Sequence, residues 1–369
     1  MYRISIQELE PGMIVGRSIL NSEGNPLLIK NTILTSQYID RLEQLGLGSV
    51  YIKDGLADVE VPEVVSQQVQ TAVARTLKQN FNTLKSKGRI NSQTLKKSVA
   101  MMIDSIASNR EVLFSLEDIR AFDDYLFYHS INVSILSIMT GFDLGYNELQ
   151  LMELGVGALL HDLGLILVDQ AILNKPGPLT ADEMRMMQKH PEAGFNILRA
   201  YDEISLLSAH IAYQHHERWD GSGYPRNLSE DNILEYGRIV AIADVFDALL
   251  SDRPYRKGYT LDEVTTVATK LTNRYFDPEI LEVFLSNIAA YPVGSLVKLN
   301  NGAIAVVISA SKKTRLYPSL AIIVDHDGNR VKPAAQFKTS PSSRARIVHK
   351  LGHKESQAVI ADYLAQQSS

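Results

Sequence analysis

Between residues 119 and 290 the chain passes from one helical segment to the next with no strand-type alternation between them. This constrains the fold more than any other feature. A half-buried sheet needs apolar and polar residues alternating with period two, and this stretch never supplies that pattern. Helix-end signals divide it. Thr180-Ala181-Asp182-Glu183 and Thr260-Leu261-Asp262-Glu263 have capping-box form, and Asp277-Pro278 suits a cap followed by proline at the first helical position. The expectation is an all-α domain over 119–290.

The flanks differ. Residues 60–118 are helical in pattern but polar overall, with helices expected over Val64–Lys87 and Ser92–Ser108. They read as a connector, with a homodimer formed through it. Residues 1–59 read as a small α+β regulatory domain. Its β-type runs are Met13–Val15, Leu27–Ile29 and Val50–Ile52, and one helix is capped by Thr35, carries Ile39, Leu42 and Leu45, and ends at Gly46 and Gly48. After residue 290, VGSLVKL, AIAVVI and LAIIV are joined by Asn301-Gly302 and Asp327-Gly328. These predict a small β-rich appendage over 291–345, followed by a polar C-terminal tail over 346–369 with a short helix. The expected class is mainly α.

Composition closes off several functions. Hydrophobic residues make up 45% of 369, enough for a sizeable core. The net charge is −5 and no like-charge run exceeds three residues, so neither a nucleic-acid polymer nor a membrane surface is an expected partner. The segment MYRISIQELEPG lacks a signal-peptide pattern, and no apolar run reaches ~18 residues. A cytoplasmic chain without a membrane span is expected. With no cysteine, disulfides, thiolate metal ligands and a cysteine nucleophile are excluded.

Six of the nine histidines fall between His129 and His216. They are spread over separate helical patterns: His129 on one, His161 on the next, His190 at the end of a third, and His215 with His216 on a fourth. Asp162 follows His161, while Asp244 and Asp247 sit one turn apart on a fifth helix. A polynuclear site for hard or borderline cations needs N/O ligands from several directions. Imidazole gives one nitrogen, whereas a carboxylate has two oxygens and can bridge two metals. Adjacent helical residues diverge by ~100°, so His215 and His216 can serve one metal only from a helix end, which the following Asp220-Gly-Ser-Gly provides. His210, His326, His349 and His353 read as structural.

HS (129–130), ALLHDLG (158–164), KPGPLT (175–180), KHPEAGFNIL (189–198), HHERWDGSGYP (215–225), RIVAIADVFDAL (238–249) and SDRPYR (251–256) resemble the motif series of the HD-GYP family. This is a branch of the HD superfamily of metal-dependent phosphohydrolases. The resemblance implies a bacterial enzyme that hydrolyses cyclic di-GMP to the linear dinucleotide, and often on to GMP, at an iron or manganese centre. It assigns His129, His161, Asp162 and Asp244 to one metal, and a second to His190, His215 and His216 with Asp162 bridging. Asp247 supports the site. Arg253, Arg256, Lys175 and Tyr224 face substrate. The family's signature loop is associated with docking to diguanylate cyclase (GGDEF) domains, for which Trp219 and Tyr224 are candidate anchors.

Two departures stand out. Leu165 replaces a family lysine that faces substrate, and Tyr125 stands where trinuclear members carry glutamate, so two divalent ions are expected. The alternatives are a phosphodiesterase for another cyclic dinucleotide such as cyclic GMP-AMP, or a non-catalytic receptor or docking scaffold.

Overall fold

The computed structural model of the protein describes residues 2–20, 26–45, 49–53, 61–114, 125–175, 177–250, 259, 261–331 and 336–365. The chain gathers into two compact units, one of residues 1–63, 111–123 and 289–369, the other of 64–110 and 124–288.

In the first unit the N-terminal segment holds β1 (Tyr2–Ser5), β2 (Ile19–Leu20), β3 (Pro26–Leu28), α1 (Ser36–Gln44) and β4 (Ser49–Ile52). β1 pairs antiparallel with β4 and β2 with β3. Ile6, Val15, Leu34, Ile39, Leu42, Val50 and Ile52 form its core. Thr35 caps α1 by accepting from the Tyr38 amide. The run Met13–Val15 makes only isolated bridges, Ile14 to Ile33 and Val15 to Ile52. Leu45 caps the helix C-terminus and stays exposed. Gly46 and Gly48 lie outside the described residues.

The second unit is helical. α2 (Gln67–Lys87) and α3 (Ser92–Ser108) open it, followed by α4 (Tyr125–Asp143), α5 (Glu148–Leu159), a 3-10 turn at Leu163–Leu167, α6 (Gln170–Leu173), α7 (Ala181–Met187), α8 (His190–Leu198), α9 (Leu206–Gln214), α10 (Glu235–Leu250), α11 (Leu261–Lys270) and α12 (Pro278–Ser286). The two capping signals that fall on described residues act as read: Thr180 and Glu183 form a reciprocal box, and Asp277 caps α12 with Pro278 behind it. Thr260 lies outside the described residues.

The connector reading of 60–118 does not match the packing. Val73, Leu77 and Phe81 of α2, with Leu95, Val99, Met102 and Ile106 of α3, are buried. The Phe81 ring meets Phe127 edge-on at 5.5 Å. A Cβ on Gly155 of α5 would lie 2.6 Å from Val99, so α3 packs directly on α5. The apolar stripe of each helix is spent inside the helical unit. Composition hid this because their exposed faces are strongly polar.

Taken together, α5 and the 3-10 turn after it (Glu148–Leu167) are long and apolar enough to cross a membrane by length and composition, and 61% of the most apolar part of this stretch is buried inside the protein. A helix enclosed by other helices is apolar on several faces for that reason.

The C-terminal segment of the first unit forms a five-stranded antiparallel sheet in the order β8-β7-β6-β5-β9. Its strands are β5 (Leu296–Leu299), β6 (Ile304–Ser309), β7 (Ser319–Val324), β8 (Gln336–Lys338) and β9 (Ile347–Lys350), with α13 (His353–Ala365) following. Period-two alternation splits the core in two. Val297, Leu299, Ala305, Val307 and Leu320 pack on one face. Leu296, Val306, Ala321 and Ile323 pack on the other with Leu351 and, from α13, Ile360 and Tyr363. The expected polar tail over 346–369 is thereby corrected: Lys298 pairs with His349 and Leu299 with Ile347, so β9 completes the sheet. An edge strand with exposed Val348 and His349 carries little apolar signal.

Candidate metal centre

Every described member of the His/Asp set lies in the helical unit. His129 projects from α4 towards Asp244 and Asp247 on α10. Its Nδ1 is 2.7 Å from Asp247 Oδ2 and its Nε2 3.1 Å from Asp244 Oδ1. The three-residue spacing on α10 sets both carboxylates on one face. Asn132, one turn beyond His129, donates its amide to Asp247 Oδ1 at 2.7 Å.

Two histidines sit differently from the expectation. His161 is not on a helix: α5 ends at Leu159, Leu160 caps it, and His161-Asp162 form the turn entering the 3-10 segment. His190 opens α8 rather than closing a helix, because α7 stops at Met187 and Pro191, which has no N–H, suits a helix start. A Cβ on Gly164 would lie 2.0 Å from the His190 carbonyl oxygen and 2.7 Å from the Gly194 amide. The turn carrying Asp162 therefore rests directly on the start of α8. His215 is the C-terminal cap of α9 and His216 follows it, which is the helix-end placement the adjacent pair requires.

Asp162 stands at the centre. Its Oδ2 is 3.4 Å from His161 Nε2, and its Oδ1 is 3.3 Å from His190 Nε2 and 3.6 Å from His215 Nε2. Ligand atoms of Asp162, His190, His215 and His216 lie within 4.8 Å of one another, as do those of His129, His161 and Asp162. Asp162 belongs to both groups.

Protonation follows from the other ring nitrogens. The Nδ1 atoms of His161, His190 and His215 face main-chain oxygens of Ala158 (2.8 Å), Met187 (2.8 Å) and Ala212 (3.0 Å). A carbonyl only accepts, so each Nδ1 donates to it and each ring turns its Nε2 inward. His190 Nε2 and His215 Nε2 are 3.3 Å apart beside Asp162 Oδ1, so three atoms that can each offer a lone pair converge. Buried His161 Nε2 makes no hydrogen bond among the described residues. Such convergence of acceptors fits a cation.

Burial opposes a charged Asp162, but His161, with hydrogen bonds from His190 and His215, holds its carboxyl well below the usual range. Asp244 is likewise held low against burial by its bond to His129. Burial pushes His215 and His216 below the ordinary imidazole value, leaving them neutral as ligation requires. Burial also disfavours a charged His161, but Asp162 outweighs it and raises that ring.

Beside the cluster the Gly-Tyr-Pro loop folds back on His216. The Tyr224 ring stacks on it at 4.6 Å and 25°, and the Tyr224 amide donates to the His216 carbonyl at 3.2 Å. A Cβ on Gly223 would lie 2.4–2.5 Å from main-chain atoms of His216, Glu217 and Arg218, so only glycine fits. The Trp219 ring lies under the Arg238 guanidinium, 5.5 Å away. Lys175 gives its ammonium to Glu183 Oε2 at 2.6 Å. Arg253 and Arg256 lie outside the described residues, as does the Tyr125 side chain. His210 packs on Phe195 at 4.8 Å, while exposed His326 and His349 lie beside Asp327 and Glu355.

Asn132, Gly164 and Glu217 escaped the sequence reading. Only Asn132 had a local signal, its three-residue spacing from His129.

Residues 100–280 match the HD-domain family, and residues 296–340 match the KOW domain associated with HD domains. The first match places residues 100–280 in the HD-domain family, whose phosphohydrolases are metal-dependent. A cyclic di-GMP phosphodiesterase of Pseudomonas aeruginosa is 35% identical over 59% of this chain and 52% of its own length. One of Thermotoga maritima is 42% identical over 47% of each. A 3'3'-cGAMP-specific phosphodiesterase of Vibrio cholerae is 34% identical over 52% of this chain and 37% of its own. The chain thus spans about half the length of the first two or less. The solved structure of an HDGYP protein from Bdellovibrio bacteriovorus shares the fold, with a TM-score of 0.50 at 18% identity over 77% of this chain and 97% of that one.

Proposed function

We propose that this protein is a phosphodiesterase that hydrolyses cyclic di-GMP to the linear dinucleotide. The observation that carries the reading is Asp162, whose two oxygens face different histidine groups. One metal would be held by His129, His161, Asp162 and Asp244, and a second by Asp162, His190, His215 and His216. Iron or manganese suits this mixture of imidazole and carboxylate. Bound there, such ions supply Lewis acidity at phosphoryl oxygens and lower the pKa of water.

The chain's own groups set the geometry. Asp247, braced by Asn132, holds the His129 ring in place. Burial pushes the Tyr224 phenol well above its ordinary value, so it stays protonated and can donate to a phosphoryl oxygen. Arg253 and Arg256 are assigned to substrate phosphate or guanine, where a guanidinium binds bidentately. For Lys175 to reach phosphate, its pair with Glu183 must open. The relatives named as cyclic di-GMP phosphodiesterases support this substrate.

Purified protein assayed with cyclic di-GMP and with cyclic GMP-AMP tests the proposal. Asp162→Asn should lose both turnover and metal, since an amide is a neutral, poorer bridge. Near-normal hydrolysis with a full metal complement would overturn the bridging role, and turnover of cyclic GMP-AMP alone would overturn the substrate.

A further inference from the structure

Glu217 lies between His216 and the exposed charges of the loop, yet it is only 1% exposed. Its two oxygens are divided between main-chain donors on the far side of the loop. Oε1 accepts from the Arg226 amide at 2.8 Å and Oε2 from the Leu228 amide at 3.0 Å. The segment between Glu217 and these donors contains Gly223 and Tyr224, and the Tyr224 ring lies on His216. Gly223 is packed against the backbone of His216, Glu217 and Arg218, so the loop has no slack at its base.

We propose that Glu217 is a positioning residue: its carboxylate closes the loop so that Tyr224 covers and orients the His216 ring. It touches neither substrate nor metal and acts through Tyr224. A side chain that accepts with both oxygens is required. Glutamine keeps one acceptor but turns an N–H₂ towards the other amide, leaving a buried donor facing a donor. The consequence for metal rests on the ligand assignment above. The consequence for the His216 ring does not.

Two measurements on the full chain separate these. In metal-free protein, carbethoxylation of individual histidines is followed by mass spectrometry. Glu217→Gln should raise the His216 rate about tenfold and leave fully buried His161 unchanged. Tyr224→Ala should give a similar rise, and the double variant should exceed neither. An unchanged His216 rate in Glu217→Gln, or additive effects in the double variant, would overturn the proposal. In the second measurement Mn²⁺ titration follows the weaker of two binding steps, which Glu217→Gln should weaken about tenfold while Tyr224→Phe, which keeps the ring, does not. A lowered melting temperature with both Mn²⁺ steps unchanged would reduce Glu217 to a structural role and also overturn the proposal. Failure of the unmodified protein to bind two Mn²⁺ ions would sink the ligand assignment, and the histidine rates would still decide the role of Glu217.

Discussion

Gly164→Ala should split the metal centre. The new methyl would sit 2.0 Å from the His190 carbonyl oxygen, 2.7 Å from the Gly194 amide nitrogen and 2.8 Å from the His190 carbonyl carbon. All three neighbours are backbone, so no side chain can swing away. To reach even 3.0 Å the turn and α8 must separate by about 1 Å, whereas plausible metal–ligand distances hold within about 0.2 Å. His190 opens α8 and moves with it, but His129 and His161 are held by other elements. Overpacking of this kind costs about 1–3 kcal/mol. For the helical unit, of about 200 residues, each kcal/mol lowers the melting temperature by about 2–4 °C. The expected result is a melting temperature lower by about 2–12 °C and loss of one of two bound Mn²⁺ ions, read by calorimetry and by metal analysis after gel filtration. Gly194→Ala is the graded control. Its nearest contacts are 3.3 and 3.4 Å, which a shift of a few tenths of an ångström relieves, so its effect should be smaller on both readouts. A Gly164→Ala protein with two tightly held ions and an unchanged melting temperature would refute the reasoning.

Asn132→Ala should weaken Mn²⁺ binding by about 10–100-fold, the usual range for a partner that orients a ligand; unchanged titration curves would show that Asp247 holds His129 without help. Arg253→Ala should raise KM for cyclic di-GMP with metal content intact, since a hydrogen bond to a charged group is worth about 1.5–3 kcal/mol; loss of metal in a folded variant would contradict a substrate role. The Lys175 hydrogen bond and the Thr180 amide hold Glu183 down to about 2. A depressed carboxylate stabilises the fold fully above its ordinary value near 4.5, and the contribution fades as pH falls through about 2. The carboxylate resonance of Glu183 should accordingly titrate well below 4.5, and a midpoint at 4.5 would mean that the pair and cap do not persist in solution.

What was readable in the chain follows a physical division. The His/Asp cluster was legible because few residue types can ligate a metal, and helical spacing marks which of them share a face. His215-His216 followed by Asp-Gly-Ser-Gly told in advance that the pair sits at a helix end. The groups that aim the ligands were less legible, because their roles arise from contacts between distant segments. Gly164 matters only because α8 begins against it, and Glu217 only because the chain returns to it nine and eleven residues later. The same reason explains the misreading of α2 and α3: an amphipathic helix shows its apolar face in sequence but not what that face meets. It also explains β9, whose four residues become a strand through pairing with β5 rather than through any pattern of their own. Residues that supply chemistry are constrained by type, and those that supply geometry by position. In this protein the second kind lies beside the first in the chain: Asn132 three residues after His129, Gly164 two after Asp162, and Glu217 one after His216.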